Sequence, residues 1–324
     1  MKHIQTLLFL LVLLPPTLSA IQLEDPMPES VWQAEIILKI IPSYSRAFNG
    51  YGEEASLKNL MLWDRGWYNL VEGELKREEK RLELKMAYGL TEDWVLEAMI
   101  PMVQKIQFSS LKFDSSTTEQ QKVISNLVSE ELNGLGDINI QFGKHLSYSS
   151  TLHNLGGFTI RLPTGNKGTR RGISSNSIGE GHGSVGVFFH ITWYPLLHGV
   201  RNGFRIEGKN ELTGERETLE GEKVYYSAGH IAELYYSFSV ERQNIFAGTE
   251  LHYFQQSESK LSTGKSNESF LKEINFEFGY GNLSELEQKP LSYPWQVRLG
   301  YTRPFAGQNQ PLIHSWELSS TFLF

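Results

Sequence analysis

His182 and Ser184 stand two residues apart, so in an extended strand both side chains leave the same face. A histidine so placed can take the proton of a serine hydroxyl when a third group fixes its tautomer and an oxyanion site lies nearby. Ser184 is followed by Val185 and Gly186, and no asparagine falls at next-strand spacing. The pair therefore reads as a loop-base histidine beside a small strand residue. Gly181, Gly183 and Gly186 spell G-x-G-x-x-G, which in a dinucleotide-binding fold ends a strand and opens a helix on the pyrophosphate. Here the glycines enter an alternating strand, where they serve tight turning and close strand packing. His145, His190, His230, His252 and His314 are dispersed singly, and the chain has no cysteine. No metal centre, cofactor, disulfide or thiol nucleophile is expected, and no catalytic residue is assigned.

Ionisable residues on one face of alternating segments are far more numerous. Arg81, Glu83 and Lys85 alternate with Leu82, Leu84 and Met86, and Glu273, Asn275 and Glu277 alternate with Ile274, Phe276 and Phe278. Val185, Val187, Phe189, Ile191 and Trp193 oppose Ser184, Gly186, Phe188, His190 and Thr192. A period of two marks strands with one apolar face and does not say which face is buried. A soluble sandwich would turn the apolar faces inward. Three features favour the inverse, with lipid outside and a polar lumen within. The polar faces carry many charges and glycines. Trp94, Trp193, Tyr194, Tyr293 and Trp295 sit near strand ends, as in the aromatic girdles of membrane barrels. The chain also stops inside a strand, at Trp316, Leu318, Phe322 and the terminal Phe324. That ending resembles the signal read by the outer-membrane barrel-assembly machinery.

The predicted lumen is lined by Arg81, Glu83, Lys85, Glu97, Asp137, Arg161, Arg205, Glu207, Glu233, Glu250, Glu273, Glu277, Arg298 and Glu317. Such charges either line a hydrated pore and set its selectivity, or pair across a narrow lumen and fill it. Both readings stay open at this stage.

The N-terminus has a polar start at Lys2 and His3, an apolar run over residues 7–14, Pro15-Pro16, and the small pair Ser19-Ala20. The run is too short to span a bilayer and reads as a signal peptide over residues 1–20, leaving 21–324 as the barrel. No later run approaches the roughly 20 apolar residues of a membrane helix. The net charge of -7 over 324 residues argues against a nucleic-acid partner.

Membrane barrels of this kind keep both termini on the periplasmic side, with short turns there and longer loops outside. Counting back from Phe324 gives strands over 312–324, 293–304, 269–281, 244–256, 225–240, 203–212, 183–194, 152–162, 135–146 and 94–103. One long strand over 67–88 and a first strand over 31–41 bring the total to about twelve, within a range of ten to fourteen. Residues 123–132 are the one amphipathic patch, inside an expected outer loop over 104–134.

Tyr88-Gly89-Leu90-Thr91-Glu92-Asp93, Gly134-Leu135-Gly136-Asp137 and Pro163-Thr164-Gly165-Asn166 resemble turn and strand-end motifs of the outer-membrane transporters associated with phenol meta-cleavage pathways and of related uncharacterised barrels. The resemblance spans about residues 67–195 and the last strand. It implies a barrel of the counted size that moves small hydrophobic or aromatic molecules. Asn166 stands where an acidic residue is usual. The expectation is an all-β, antiparallel up-and-down barrel in the outer membrane, passing small solutes. Its partners would be outer-membrane lipid and lipopolysaccharide, with the assembly machinery during biogenesis. A closed structural or surface-recognition barrel is the alternative, and a lipid hydrolase ranks behind both.

Overall fold

The computed structural model describes residues 36–51, 57–59, 70–113, 130–149, 151–165, 178, 182–194, 200–217, 223–227, 229–242, 244–258, 260–261, 264–265, 268–281, 295–308 and 310–323. The expected signal peptide, Tyr293 and Phe324 lie outside these.

Twelve long strands form one closed antiparallel sheet: β1 (Ile36–Tyr51), β2 (Leu70–Gly89), β3 (Trp94–Phe113), β4 (Ile138–Tyr148), β5 (Leu152–Leu162), β6 (Ser184–Trp193), β7 (Val200–Glu211), β8 (His230–Arg242), β9 (Ile245–Gln256), β10 (Ser269–Gly281), β11 (Trp295–Gln308) and β12 (Gln310–Leu323). Each pairs with its neighbours in sequence, and β12 closes on β1 from Ile37↔Leu323 to Tyr51↔Gln310. Closure leaves the barrel no free edge.

Burial along the strands is inverted relative to a soluble protein. Phe158 and Val187 are each 57% exposed and Phe278 59%, whereas Arg205 and Glu207 are each 3% and Arg298 5%. The apolar face of each period-two pattern therefore points outward and the charged face inward. Sequence alternation alone left that direction open.

Prolines mark the interruptions in the ladder, because each lacks the N–H that a central strand needs. The β1–β12 register runs to Ile40↔Ser320 and resumes at Ser43↔Glu317, passing over Pro42. At Pro101, β3 changes partner, from β4 (last pair Met99↔Asn139) to the short strand Glu130–Leu135 (first pair Met102↔Leu135). Pro304 sits opposite Glu273 at a bulge, where the register shifts between Lys272 and Glu273.

Short turns occupy one end of the barrel. In residues 90–93 the Thr91 hydroxyl accepts from the backbone N–H groups of Asp93 (3.3 Å) and Trp94 (3.1 Å). Ser149 does the same for Leu152 at 3.0 Å in the β4–β5 turn. Such local side-chain acceptors are why Ser and Thr favour turns.

At the other end the strands run further than the sequence suggested. The expected outer loop 104–134 contains strand through Phe113 and again over Glu130–Leu135, so part of the amphipathic patch is strand as well. The charged stretch 72–80 pairs from Glu72↔Lys112 to Lys80↔Gln104, giving a two-stranded ribbon continuous with the wall. β11 and β12 nearly meet across residue 309 where a seven-residue loop was expected. Residues 225–227 belong to a separate hairpin, Gly214–Glu217 with Lys223–Ser227. That hairpin pairs in turn with Lys260–Leu261, joining the β7–β8 and β9–β10 connections in a small four-stranded sheet.

Candidate functional site

Because every second residue faces inward, the lumen wall is a mosaic of side chains from many strands, and its charges meet in chains of ion pairs. Glu207 of β7 binds Arg205 at 2.7 Å and Lys209 at 3.0 Å. Lys209 continues to Glu233 of β8 at 2.8 Å. Glu233 accepts from the Tyr235 hydroxyl and faces His252 of β9 at 3.6 Å. His252 reaches Glu273 of β10 through Nδ1 at 3.2 Å, and Tyr235 stacks on its ring at 4.3 Å. Buried charges persist when paired in this way, and breaking one pair strands its partner.

Three contacts pass over intervening strands. Arg205 donates to Gln141 of β4 at 3.1 Å, two strands being skipped. Arg161 of β5 meets Glu211 of β7 at 3.0 Å, and Gln256 of β9 donates to the same carboxylate at 3.0 Å. These bonds reach over the intervening strands on the inner face of the wall.

A second cluster surrounds Arg298 of β11. Its Nε donates to Gln296 at 2.6 Å, Nη1 faces Glu277 at 3.3 Å, and the guanidinium lies 3.9 Å from the centroid of the Phe246 ring. Arg205 likewise lies 4.6 Å from the Phe188 ring centroid. Guanidinium planes stack well on aromatic faces, which ties both arginines to one rotamer. A third cluster joins Arg81 to Glu79 (2.8 Å) and Glu83 (3.1 Å), with Lys105 at 3.5 Å from Glu79.

Nine of the fourteen sequence-derived lining residues belong to these groups, Arg81 and Glu83 to the third cluster. Arg161, Arg205, Glu207, Glu233, Glu273, Glu277 and Arg298 are joined as described. Lys85, Glu250 and Glu317 are half-buried on inward positions, and Glu97 is buried. Asp137 has a different job. It precedes β4, and its carboxylate accepts from the Gly165 N–H at 2.9 Å. Thr164 Oγ1 accepts from Ile138 N at 3.0 Å and donates to the Gly136 carbonyl at 2.9 Å. Two motifs separated in sequence thus clasp one another. Thr164→Val is expected to cost about 1 kcal/mol, seen as a lower urea midpoint for loss of the compact gel form. An unchanged midpoint would refute the clasp.

Sequence reading missed Gln141, Phe188, Tyr235, Phe246 and Gln256 as partners of the charges. Alternation gives a residue's face, but no spacing rule gives contacts that reach over neighbouring strands.

His182 and Ser184 do share the inward face, and Ser184 pairs in register with Glu211. His182 Nε2, however, lies 2.9 Å from Glu211 and 3.1 Å from Arg161. The histidine is part of an ionic clamp at the end of the wall. Gly186 fits its structural reading, since a Cβ there would lie 2.6 Å from the Gly208 carbonyl oxygen. Among the described residues no group of three metal-ligating side chains is found.

No protein-family model and no curated protein sequence matches the chain. Solved structures do. An outer membrane channel from Pseudomonas putida F1 superposes with a TM-score of 0.65 at 13% identity, covering 94% of this chain and 100% of that one. The NanC porin gives 0.43 at 10% identity over 88% and 98% of the two chains. The TodX monoaromatic hydrocarbon channel gives 0.38 at 9% over 90% and 89%. The chain therefore has the fold of an outer-membrane channel, a closed antiparallel barrel of twelve strands.

Proposed function

We propose that the protein is an outer-membrane channel for small molecules, oriented with its short turns in the periplasm and its longer loops outside the cell. The observation that carries this reading is the inverted wall, with apolar residues outside and ionised residues inside. A polar lumen within an apolar belt is what a solute path through a bilayer requires. Charge-paired walls with stacked Phe188 and Phe246 offer a passing molecule both ionic and aromatic surface. That mixture suits the small hydrophobic or aromatic cargo implied by the sequence motifs.

The contacts that reach over intervening strands favour a second reading, a closed barrel with a structural or surface-recognition role. Arg205–Gln141 and the double hold on Glu211 leave less free section than a bare twelve-strand ring would. The His182–Ser184 pair supports no hydrolase reading, since Nε2 of the histidine is engaged by Glu211 and Arg161.

Single-channel recording of the refolded mature chain in planar bilayers separates the two. A channel gives steady conductance whose ion selectivity changes in Arg298→Gln or Glu277→Gln. Silence from a protein with compact, heat-modifiable gel migration would overturn the channel and leave the closed barrel.

A further inference from the structure

A groove of about 900 Å³ runs along the outer surface where the barrel closes. Its walls include Pro42, Leu82, Met102, Leu299 and Leu318. Leu82, Met102, Leu299 and Leu318 are exposed, as residues facing lipid should be. Pro42 lines the groove at the point where the β1–β12 ladder is interrupted. Its volume is in the range of sites that hold a discrete small molecule, about 300–1,000 Å³.

The outer end of the groove is built differently. Tyr44 and Trp316, paired across the seam, form its rim, and the Tyr301 ring packs at a tilt against Trp316, centroids 4.5 Å apart. Aromatic residues in such a ring sit at the headgroup level of a membrane. One step further from the apolar belt comes a basic row. Arg46 is two residues beyond Tyr44 and pairs in register with His314, while Arg303 is two residues beyond Tyr301. His314 Nδ1 is held by the Tyr301 hydroxyl at 2.9 Å. Lys80, exposed, lines the groove itself. Glu78 lies 3.1 Å from Arg46, and Glu131 stands on the far side beside Gln104 at 2.7 Å. Arg46 remains 48% exposed despite that pair, and Arg303 is exposed. The side nearest β11 thus carries two exposed guanidinium groups.

We propose that this groove and the basic row form a binding site for a phosphorylated acyl glycolipid of the outer leaflet, the lipid A type. Acyl carbon lies along the groove from Leu318 to Leu82. The sugar rests on Trp316 and Tyr44, and a phosphate meets Arg303 and Arg46. The order of the three layers selects the ligand. A neutral hydrophobic molecule would use the groove and ignore the row, whereas free phosphate would use the row and ignore the groove. Arginine suits the phosphate because its fork donates two parallel hydrogen bonds. This site rests on the outward-loop orientation given above, but it does not depend on conduction.

The test is native mass spectrometry of the refolded chain in detergent. The probes are diphosphoryl lipid A, dephosphorylated lipid A, phosphatidylethanolamine and sodium phosphate. A one-to-one adduct with diphosphoryl lipid A is expected, and binding should weaken roughly tenfold in the Arg46→Gln/Arg303→Gln double variant, an effect of the size of one or two charge-assisted hydrogen bonds. Dephosphorylated lipid A should bind as weakly to wild type as diphosphoryl lipid A does to the variant. Heat-modifiable migration confirms that the variant is folded, and Lys80→Gln serves as a milder second variant with a smaller loss. No adduct, equal binding of the dephosphorylated lipid, or binding unchanged in both variants would each overturn the proposal. Competition by sodium phosphate alone at equal concentration would overturn the acyl part. Silent bilayers would refute the channel and leave this result standing.

Discussion

Replacing Arg205 with methionine is expected to lower the stability of the barrel by about 3–5 kcal/mol, the usual cost of stranding one partner of a buried ion pair. The side chains of Arg205 and Glu207 are only 4% and 3% exposed, and they lie 2.7 Å apart. Methionine preserves much of the volume over Phe188 but gives nothing to Glu207 or to Gln141. Urea unfolding followed by tryptophan emission measures the loss. Adding Glu207→Gln to Arg205→Met should recover part of it, because the uncompensated carboxylate is then gone. A single variant within 1 kcal/mol of wild type would mean that lumen water already shields the pair. Conductance gives an independent view. The Arg205–Gln141 bond reaches over β5 and β6 on the inner face, so its removal is expected to change single-channel current in a barrel that conducts.

Gly157→Val should abolish the folded barrel. Gly157 pairs with Gly143 between β5 and β4. A Cβ at this position would overlap the Phe142 carbonyl oxygen and lie 2.8 Å from Gly143 Cα. Both obstacles are backbone, so no side-chain rotation relieves them. Overpacking a soluble core typically costs about 1–3 kcal/mol because neighbours yield. Here the neighbour is the adjacent strand, and yielding means losing its ladder. The expected result is chain that stays unfolded on gels at refolding conditions sufficient for wild type. Gly208→Ala is the control, since a Cβ there meets nothing within 4 Å. Normal folding of Gly157→Val would show that β4 and β5 separate at this point without loss.

Much of this architecture is written in the period of two. Leu82, Leu84 and Met86 against Arg81, Glu83 and Lys85 give a strand and its two faces, and a terminal strand bearing Trp316, Leu318 and Phe322 suggests which face meets lipid. Strand ends were harder. Residues 104–113 carry no strong alternation, and they extend as strand because β2 continues beside them, which is a tertiary cause. Residues 225–227 read as the start of β8, but Gly229 and the pairing with 214–217 detach them. For the site, the face on which a residue stands was legible because facing follows from parity. Its partners were not. Arg161 and Glu211 are fifty positions apart, and only the curvature of the closed sheet brings them to 3.0 Å. The groove at the seam was equally hidden, since Pro42 and Leu318 become neighbours only when the last strand meets the first.

The small sheet that joins the β7–β8 and β9–β10 connections has a consequence for how this surface can change over generations. Its strands are held through main-chain groups, Gly214↔Tyr226 to Glu217↔Lys223 and then Tyr226↔Leu261. Amide and carbonyl are common to nearly every residue, so the pairing makes few demands on which residues stand in these strands. In the orientation proposed above, antibodies and phage, which read side chains, would meet a drifting epitope on a constant scaffold. Selection by such agents can therefore proceed at this end of the molecule while the paired charges deeper in the wall stay fixed.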